Sequence, residues 1–554
     1  MKYFLFPLLL TPFLLIFNCQ KNLSEESVSL AIINARIWTA NPNQPWAEAI
    51  AVNDNIITYV GSTKEITSKT SKNTIIIDAN GMFVAPGFTD SHIHLLEGGF
   101  RLSSVQLRDA DTPEEFRNRL AEFAKTCEPG DWILCGDWDH SLWGGDLPKR
   151  DWIDDVTPDN PVWINRLDGH MALANSLALK LANIDESTVT PSGGTIVRDK
   201  QGKPTGILKD NAMELIDPII GEPSNSLKYQ ALDAAMQYLL EQGVTAVHHM
   251  GSWDDLRIFE HYNKKNKLRI RISAAVPLST WQRLDEKIKT NGSGKKWLRI
   301  GGLKSFVDGS LGSHTALFHE PYCDQPTDTG LLVTSKEDLY QMILNSDASG
   351  LQSITHAIGD KANTIIFDIY EKILNENGKR DRRFRIEHVQ HLRPTDIPRF
   401  RELGVIASVQ PYHAIDDGRW AESLIGHDRV QQSYAYNSLL KSGAIVAFGS
   451  DWYVAPPVPL LGIYAAVTRQ TLDGLNPDGW VPEEKVSVEA ALKCYTLHPA
   501  YASFEEKIKG SIERGKLADI VIIDHDLTMI EPEEIKNCRI MITIVDGKNN
   551  ELLL

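Results

Sequence analysis

Cysteine is scarce in this chain of 554 residues, which carries six, and no two of them are spaced as Cys-x-x-Cys. That excludes a disulfide framework and a thiolate metal cluster. The five beyond Cys19, namely Cys127, Cys135, Cys323, Cys494 and Cys538, read mostly as small buried hydrophobes. Positive charge is short as well. With 57 Lys and Arg against 73 Asp and Glu, the formal charge is −16. No basic stripe could gain much from counterion release on such a background, which excludes a nucleic-acid partner. Long apolar runs are missing outside the first residues. Hydrophobic residues at 42% and charged residues at 23% are ordinary for a globular protein. The length exceeds what one core supports, so one large barrel or open-sheet domain plus something smaller is expected.

The exception is the opening, "MKYFLFPLLLTPFLLIFNCQKN". Lys2 and an apolar stretch over about 4–17 have the layout of a secretory signal, and the stretch is short for a membrane span. With Cys19 at its end it resembles a bacterial lipoprotein signal, in which that cysteine is acylated and becomes the mature N-terminus. Phe17-Asn18 departs from the usual small pair, and an uncleaved anchor is the alternative. Residues 1–27 are thus expected to be signal and tether, placing the protein on the cell envelope through a lipid at Cys19.

Residues 28–82 hold short β-rich pieces such as "LAIINARIWTA" and "AIAVNDNIITYVG", separated by Asn, Asp and Gly turns. Residues 508–554, with "GKLADIVIIDHDL" and "CRIMITIVDGK", look the same. The two ends are expected to be halves of one small β unit. Between them, over 83–507, short apolar runs alternate with amphipathic stretches such as "SLKYQALDAAMQYLLEQG". The runs are "VTAVHHM", "LRIRISAAV", "IGGLKSFVDG", "LQSITHAIGD", "RFRIEHVQ", "GVIASVQ" and "AIVAFGSD". Counting the run before His92 gives eight, the number that closes a (β/α)₈ TIM barrel in an α/β protein. An open doubly wound sheet is the alternative. A long insertion at about 99–215, rich in Trp and Gly turns, reads as a lid or pocket wall.

"FVAPGFTDSHIHLLEGG" places His92 and His94 one residue apart at the end of an apolar run. Side chains at i and i+2 of a strand leave on one face, so two neutral imidazoles would aim at one point, half of a metal site. Other runs end in polar residues on the same carboxyl side: Lys304 on the fourth, His356 on the fifth, His388 on the sixth and Asp451 on the eighth. Carboxyl ends of barrel strands converge on one mouth, where residues distant in sequence meet. Each residue taken alone could be structural.

"PGFTDSHIH", "GLKSFVDGSLGS", "ITHAIGD", "IEHVQ", "FGSDW" and "GSIERGKLADIVIID" resemble the amidohydrolase superfamily, in its family 3 branch with enzymes like N-substituted formamide deformylase. The resemblance runs over about 31–547 and implies a barrel flanked by a composite β-sandwich from both termini. It further implies that His92, His94 and Asp451 hold one divalent metal and His356 and His388 a second, with Lys304 bridging them as a carbamate. Zinc is the first choice for imidazole and carboxylate ligands, ahead of iron, cobalt or manganese. Metal-activated water would then attack a carbonyl, with Asp451 moving the proton to the leaving nitrogen.

His170 in "RLDGHMALANS" resembles a pocket-lining position and is a candidate contact to the carbonyl, acting in catalysis and substrate binding. His314 stands where relatives commonly carry arginine, His413 follows the seventh run, and Trp138 is a candidate apolar wall; all three are expected to bind substrate. Altogether the sequence reads as a lipid-anchored, metal-dependent hydrolase of a small-molecule amide, cleaving a non-peptide carbon–nitrogen bond of an N-acyl or N-formyl amine. An esterase or cyclic-amide hydrolase with the same metals, or a non-catalytic envelope binding lipoprotein, are the alternatives, and a homo-oligomer is left open.

Overall fold

Eight apolar runs become eight parallel strands: β1 (Phe88–Ile93), β2 (Val244–Met250), β3 (Arg271–Pro277), β4 (Leu298–Phe306), β5 (Gln352–Ala357), β6 (Arg385–His388), β7 (Ile406–Val409) and β8 (Ile445–Phe448). They lie side by side in chain order, each parallel to the next. The runs lack strict apolar–polar alternation because such strands are covered on both faces. This computed structural model describes residues 28–551 apart from positions 168, 170, 192, 193 and 313, so the expected signal and Cys19 lie outside the described residues.

The first and last strands meet. Ile93 and Trp452 form a parallel bridge, Asp451 N donates to His92 O at 2.8 Å, and His94 N donates to Trp452 O at 2.7 Å. These bonds close the sheet into the (β/α)₈ barrel, and the open doubly wound alternative falls. Amphipathic helices cover its outside. Helix Asn225–Glu241 starts where Ser224 accepts the N–H of Leu227 and buries Leu232, Met236 and Leu239 at helical spacing. Each such side chain contributes roughly 1.5–3 kcal/mol. Helix Asp360–Asn377 ends at Gly378, whose φ of 71° is the left-handed conformation that glycine takes at no steric cost.

Both chain ends build the flanking sandwich. Leu30–Ile33, Ala49–Asn53, Ile56–Gly61 and Ile75–Asp78 form a four-stranded sheet. In the second sheet Phe83–Pro86 pairs antiparallel with Ile520–Ile523, joining the two termini directly. Ile32, Ile50, Val52, Val84, Ile520 and Ile544 share the core between them. The run that the sequence presents as one piece from Phe83 is therefore cut in two at Gly87. A Cβ there would lie 2.3 Å from the Thr245 side chain, so the chain crosses from sandwich to barrel where only glycine fits. A buried pair fastens the units together, with Arg271 Nε 2.6 Å and Nη2 2.8 Å from the Asp519 carboxylate.

The insertion has a core of its own. Ile133–Trp138, Val162–Arg166, Met171–Ala174, Gly194–Arg198 and Pro204–Asp210 form a five-stranded sheet. Ile164, Leu173 and Ile207 pack in one apolar cluster while their neighbours Trp163, Ala172 and Leu208 pack in another, so each face is covered. Among the described residues no helix is long and apolar enough to cross a membrane.

Candidate metal centre

Alternation along β1 puts Asp90 and His92 on one face, and His94 follows at the strand end, where helix Leu95–Leu102 begins. The hydrogen bonds that close the barrel bring Asp451 against both histidines. Its Oδ1 is 3.4 Å from His92 Nε2 and 3.3 Å from His94 Nε2. Ligands about 2.0 Å from a tetrahedral ion stand about 3.3 Å apart, so these three atoms fit a small divalent cation such as zinc. Asp451 also belongs to a second group with His388 and His413. Gln410 Oε1 accepts from His388 Nδ1 at 2.9 Å, which leaves Nε2 as the ligand atom. Lys304 Nζ lies 3.2 Å from His92 Nε2. His356 packs against His388 with ring centroids 4.5 Å apart, and its Nε2 is 2.9 Å from Gly309 O.

The structure thus gathers His92, His94, Lys304, His356, His388, His413 and Asp451 at one mouth. It differs from the expectation in detail: the residue grouped with His388 and Asp451 is His413, while the Gly309 carbonyl engages His356. His314 pairs with Asp324, Nε2 to Oδ2 2.8 Å, and lies against Tyr322, so its imidazole is engaged within the segment after β4. Trp138 is a correction. It is fully buried in the insertion core beside Phe116 and Ile153, with Nε1 donating to Ile164 O at 2.9 Å, and presents no surface to a substrate. The candidate His170 lies outside the described residues.

Burial sets the charge states. It pushes His92 down to about 4, helped by Lys304, and His356 down to about 3; His388 is also held well below the ordinary value. These imidazoles are neutral near pH 7, as metal ligands must be. Lys304 is pushed down by burial to about 8, against the pull of Glu387 and Asp451. Burial alone would raise Asp451, but His92, His94 and His388 hold its carboxyl well below the usual range.

Sequence reasoning missed the residues behind the ligands. Glu387 Oε2 sits 2.5 Å from His92 Nδ1, which fixes that proton and leaves Nε2 free. Arg385, two residues earlier on β6, holds Glu387 with Nε–Oε1 2.8 Å and Nη2–Oε2 3.1 Å. The signal was present in "RIEH": opposite charges at i and i+2 inside a strand that must be buried on both faces. Asp90 accepts from His92 N, Ser450 N and Ser450 Oγ, at 3.1, 3.0 and 2.6 Å, tying β1 to the turn after β8. Gly449 makes that approach feasible, since a Cβ there would lie 2.6 Å from His92 N. His388, Val389 and Asp451 have φ of 74°, 49° and 60°. Such left-handed non-glycine residues cost about 1–3 kcal/mol each and persist only where the surroundings over-determine them.

The buried histidines also predict acid sensitivity of the metal-free protein. Beside His92, His356 and His388, burial lowers His248, His391 and His413. Below about 6.5 the unfolded chain binds protons that the folded one refuses, so stability falls as pH drops from 7 toward 4. Each such histidine contributes up to about 1.4 kcal/mol per pH unit within that window. The urea midpoint should decline between pH 7 and 5, the six histidines outweighing Asp90, Asp308 and Asp417, which burial raises to about 7 and which act in the opposite sense. An unchanged midpoint would contradict neutral burial.

Known proteins bear on this centre. A profile described as the amidohydrolase family matches residues 76–549. The protein named LONG AFTER FAR-RED 3 of Arabidopsis thaliana is 41% identical, over 94% of this chain and 91% of that one. N-substituted formamide deformylase of Arthrobacter pascens is 27% identical, over 94% of this chain and 97% of its own. Among solved structures, an uncharacterized metal-dependent hydrolase from Pyrococcus horikoshii OT3 has a TM-score of 0.75 and 30% identity, over 91% of this chain and 99% of that one.

Proposed function

Because the chain belongs to the amidohydrolase family and is a metal-dependent hydrolase, we propose that it cleaves a non-peptide carbon–nitrogen bond in an N-acyl or N-formyl amine. The observation that carries this reading is the approach of Asp451 to within 3.3–3.4 Å of both His92 and His94, with Lys304 and the second histidine group alongside. The relative named for formamide deformylation, similar along nearly its whole length, supports the amide.

His92, His94 and Asp451 would hold one cation, zinc by choice of ligand chemistry, and His388 with its neighbours His356 and His413 would hold a second. A bound divalent ion lowers the pKa of water from about 15.7 to about 7 and polarises a carbonyl. Lys304 cannot ligate as an ammonium, which has no lone pair. Its amine, pushed down to about 8, could add carbon dioxide with release of one proton, and the resulting carbamate would supply anionic oxygens for a cation held by the neighbouring histidines. Asp451 takes the proton from the attacking water and delivers it to the amide nitrogen, which leaves poorly unless protonated. His170, proposed on its sequence context alone, would contact the carbonyl.

A panel of N-formyl and N-acyl amines, cyclic amides and esters, with Asp451→Asn as the control, tests the reading. Turnover of the acyclic amides that vanishes in the variant is expected, and turnover of esters alone would overturn it. Metal analysis separates the binding-lipoprotein alternative, which predicts less than about one ion per chain after gentle purification. The anchor is proposed on the composition of residues 1–27. Mass spectrometry of the native protein should find acyl groups on Cys19, and an intact Met1 would refute lipidation.

A further inference from the structure

The insertion reaches the metal centre through one side chain that the proposed mechanism does not use. Val454 N donates to Asp451 O at 2.7 Å, folding residues 451–454 into a turn that returns Tyr453 to the mouth. The Tyr453 ring lies 6.0 Å from that of His94. On its face sits Arg101, with the guanidinium carbon 3.4 Å from the ring centroid. Arg101 Nε in turn donates to both oxygens of Asp137, at 3.0 and 2.9 Å, and Asn165 Nδ2 donates to Asp137 Oδ1 at 2.8 Å. Arg108 holds the same turn from outside, with Nη2 2.6 Å from Val454 O.

The delivery of Asp137 is built at some cost. Cys135, Gly136 and Asp137 are consecutive residues with φ of 69°, 97° and 53°, and the pairing of their strand with Val162–Arg166 shifts register there. Two left-handed non-glycine residues beside a bulge mark a segment bent to aim a side chain. What it aims at is Arg101, and through it Tyr453. Meanwhile the Tyr453 hydroxyl has no hydrogen-bond partner among the described residues, although the ring is half-buried, with Arg101 stacked on its face and the His94 ring 6.0 Å away. A fixed phenol with an unspent donor next to Asp451 is what a carbonyl oxygen gathering negative charge requires.

We propose that Tyr453 is a further catalytic residue, whose phenol donates a hydrogen bond to the substrate's carbonyl oxygen as that oxygen becomes negative, and that Asp137 and Arg101 of the insertion side are its positioning residues. The assignment rests on the hydrolytic reading above. It gives the insertion a task beyond covering the mouth: the lid supplies the brace for one donor of the oxyanion site.

Tyr453→Phe removes the hydroxyl and keeps the ring under Arg101. On whichever carbonyl substrate is turned over, amide or ester, kcat should fall about 10²-fold or more with KM nearly unchanged. Metal content and melting temperature should match the parent. A kcat within about twofold of the parent overturns the proposal while leaving the amide reading intact. Where no substrate is turned over, methylphosphonate, a tetrahedral anion, serves as probe: its affinity for the zinc-loaded protein should drop about tenfold in the variant, and equal affinity overturns the proposal. Positioning is read by a cycle with Asp137→Asn. If Asp137 acts through the phenol, the double variant is no slower than Tyr453→Phe alone, whereas additive losses refute the brace.

Discussion

Asp451→Asn is expected to lower kcat/KM by at least about 10³-fold and to reduce the bound metal. General acid–base transfer alone contributes about 10²–10⁴-fold, and the proposed mechanism gives this carboxylate two tasks, since it also stands 3.3–3.4 Å from both histidines of the first group. Asparagine keeps the shape but has no negative charge for a cation and no basic oxygen for a proton. The site cannot recruit a substitute easily. Asp451 is buried, its backbone is held at φ 60° by the bond from its own N–H to His92 O, and the neighbouring carboxylates Asp90 and Glu387 are engaged by Ser450 and Arg385. Steady-state kinetics with elemental analysis of the same sample checks the expectation. Activity within tenfold of the parent at full metal content would remove Asp451 from the mechanism.

Lys304→Ala should cost more than about 10²-fold in kcat and leave fewer ions per chain than the parent. The alternative role for this residue, an ordinary cation beside a single metal, predicts the opposite sign for metal binding. Removing a positive charge 3.2 Å from a ligand nitrogen would then tighten it. The two roles separate further by rescue. Alanine leaves space where a small carboxylate can take the place of the proposed carbamate, so added propionate should restore part of the activity to Lys304→Ala and none to Asp451→Asn. Metal retention at the parental level, with no response to propionate, would exclude a bridging carbamate.

Much of this was legible in the sequence, for identifiable reasons. The eight strands announced themselves because strands buried on both faces are compact apolar runs, and the polar residues at or just past their carboxyl ends, His92, His356, His388 and Asp451, marked the mouth. That the two ends build one β unit was legible because both carry the same short β pieces, and its sandwich form came from the family resemblance. What the sequence hid lay at pairings between distant segments. The split of Phe83–Ile93 at Gly87 depends on Thr245, which arrives from another strand. The assignment of Trp138 to a pocket wall failed because nothing in a run of aromatic and glycine residues tells which side chain closes a core of its own. Glu387 and Arg385 stayed hidden because their significance is relational: each looks like a charge on a strand until His92 is seen 2.5 Å away. The engagement of His356 by the Gly309 carbonyl, with His413 grouped beside His388 instead, likewise depends on where two segments after their strands are carried.

The seam between β1 and the turn after β8 has a consequence for how the protein comes into being. Asp90 and Ser450, whose contact draws the ligands together, are 360 residues apart along the chain. A ribosome must therefore release nearly the whole polypeptide before the cation pocket exists, and the sandwich likewise waits for Ile520–Ile523 to reach Phe83–Pro86. Loading with metal is then a terminal event in biogenesis, and chains cut short before residue 450 would carry most of the histidines with nowhere to gather them.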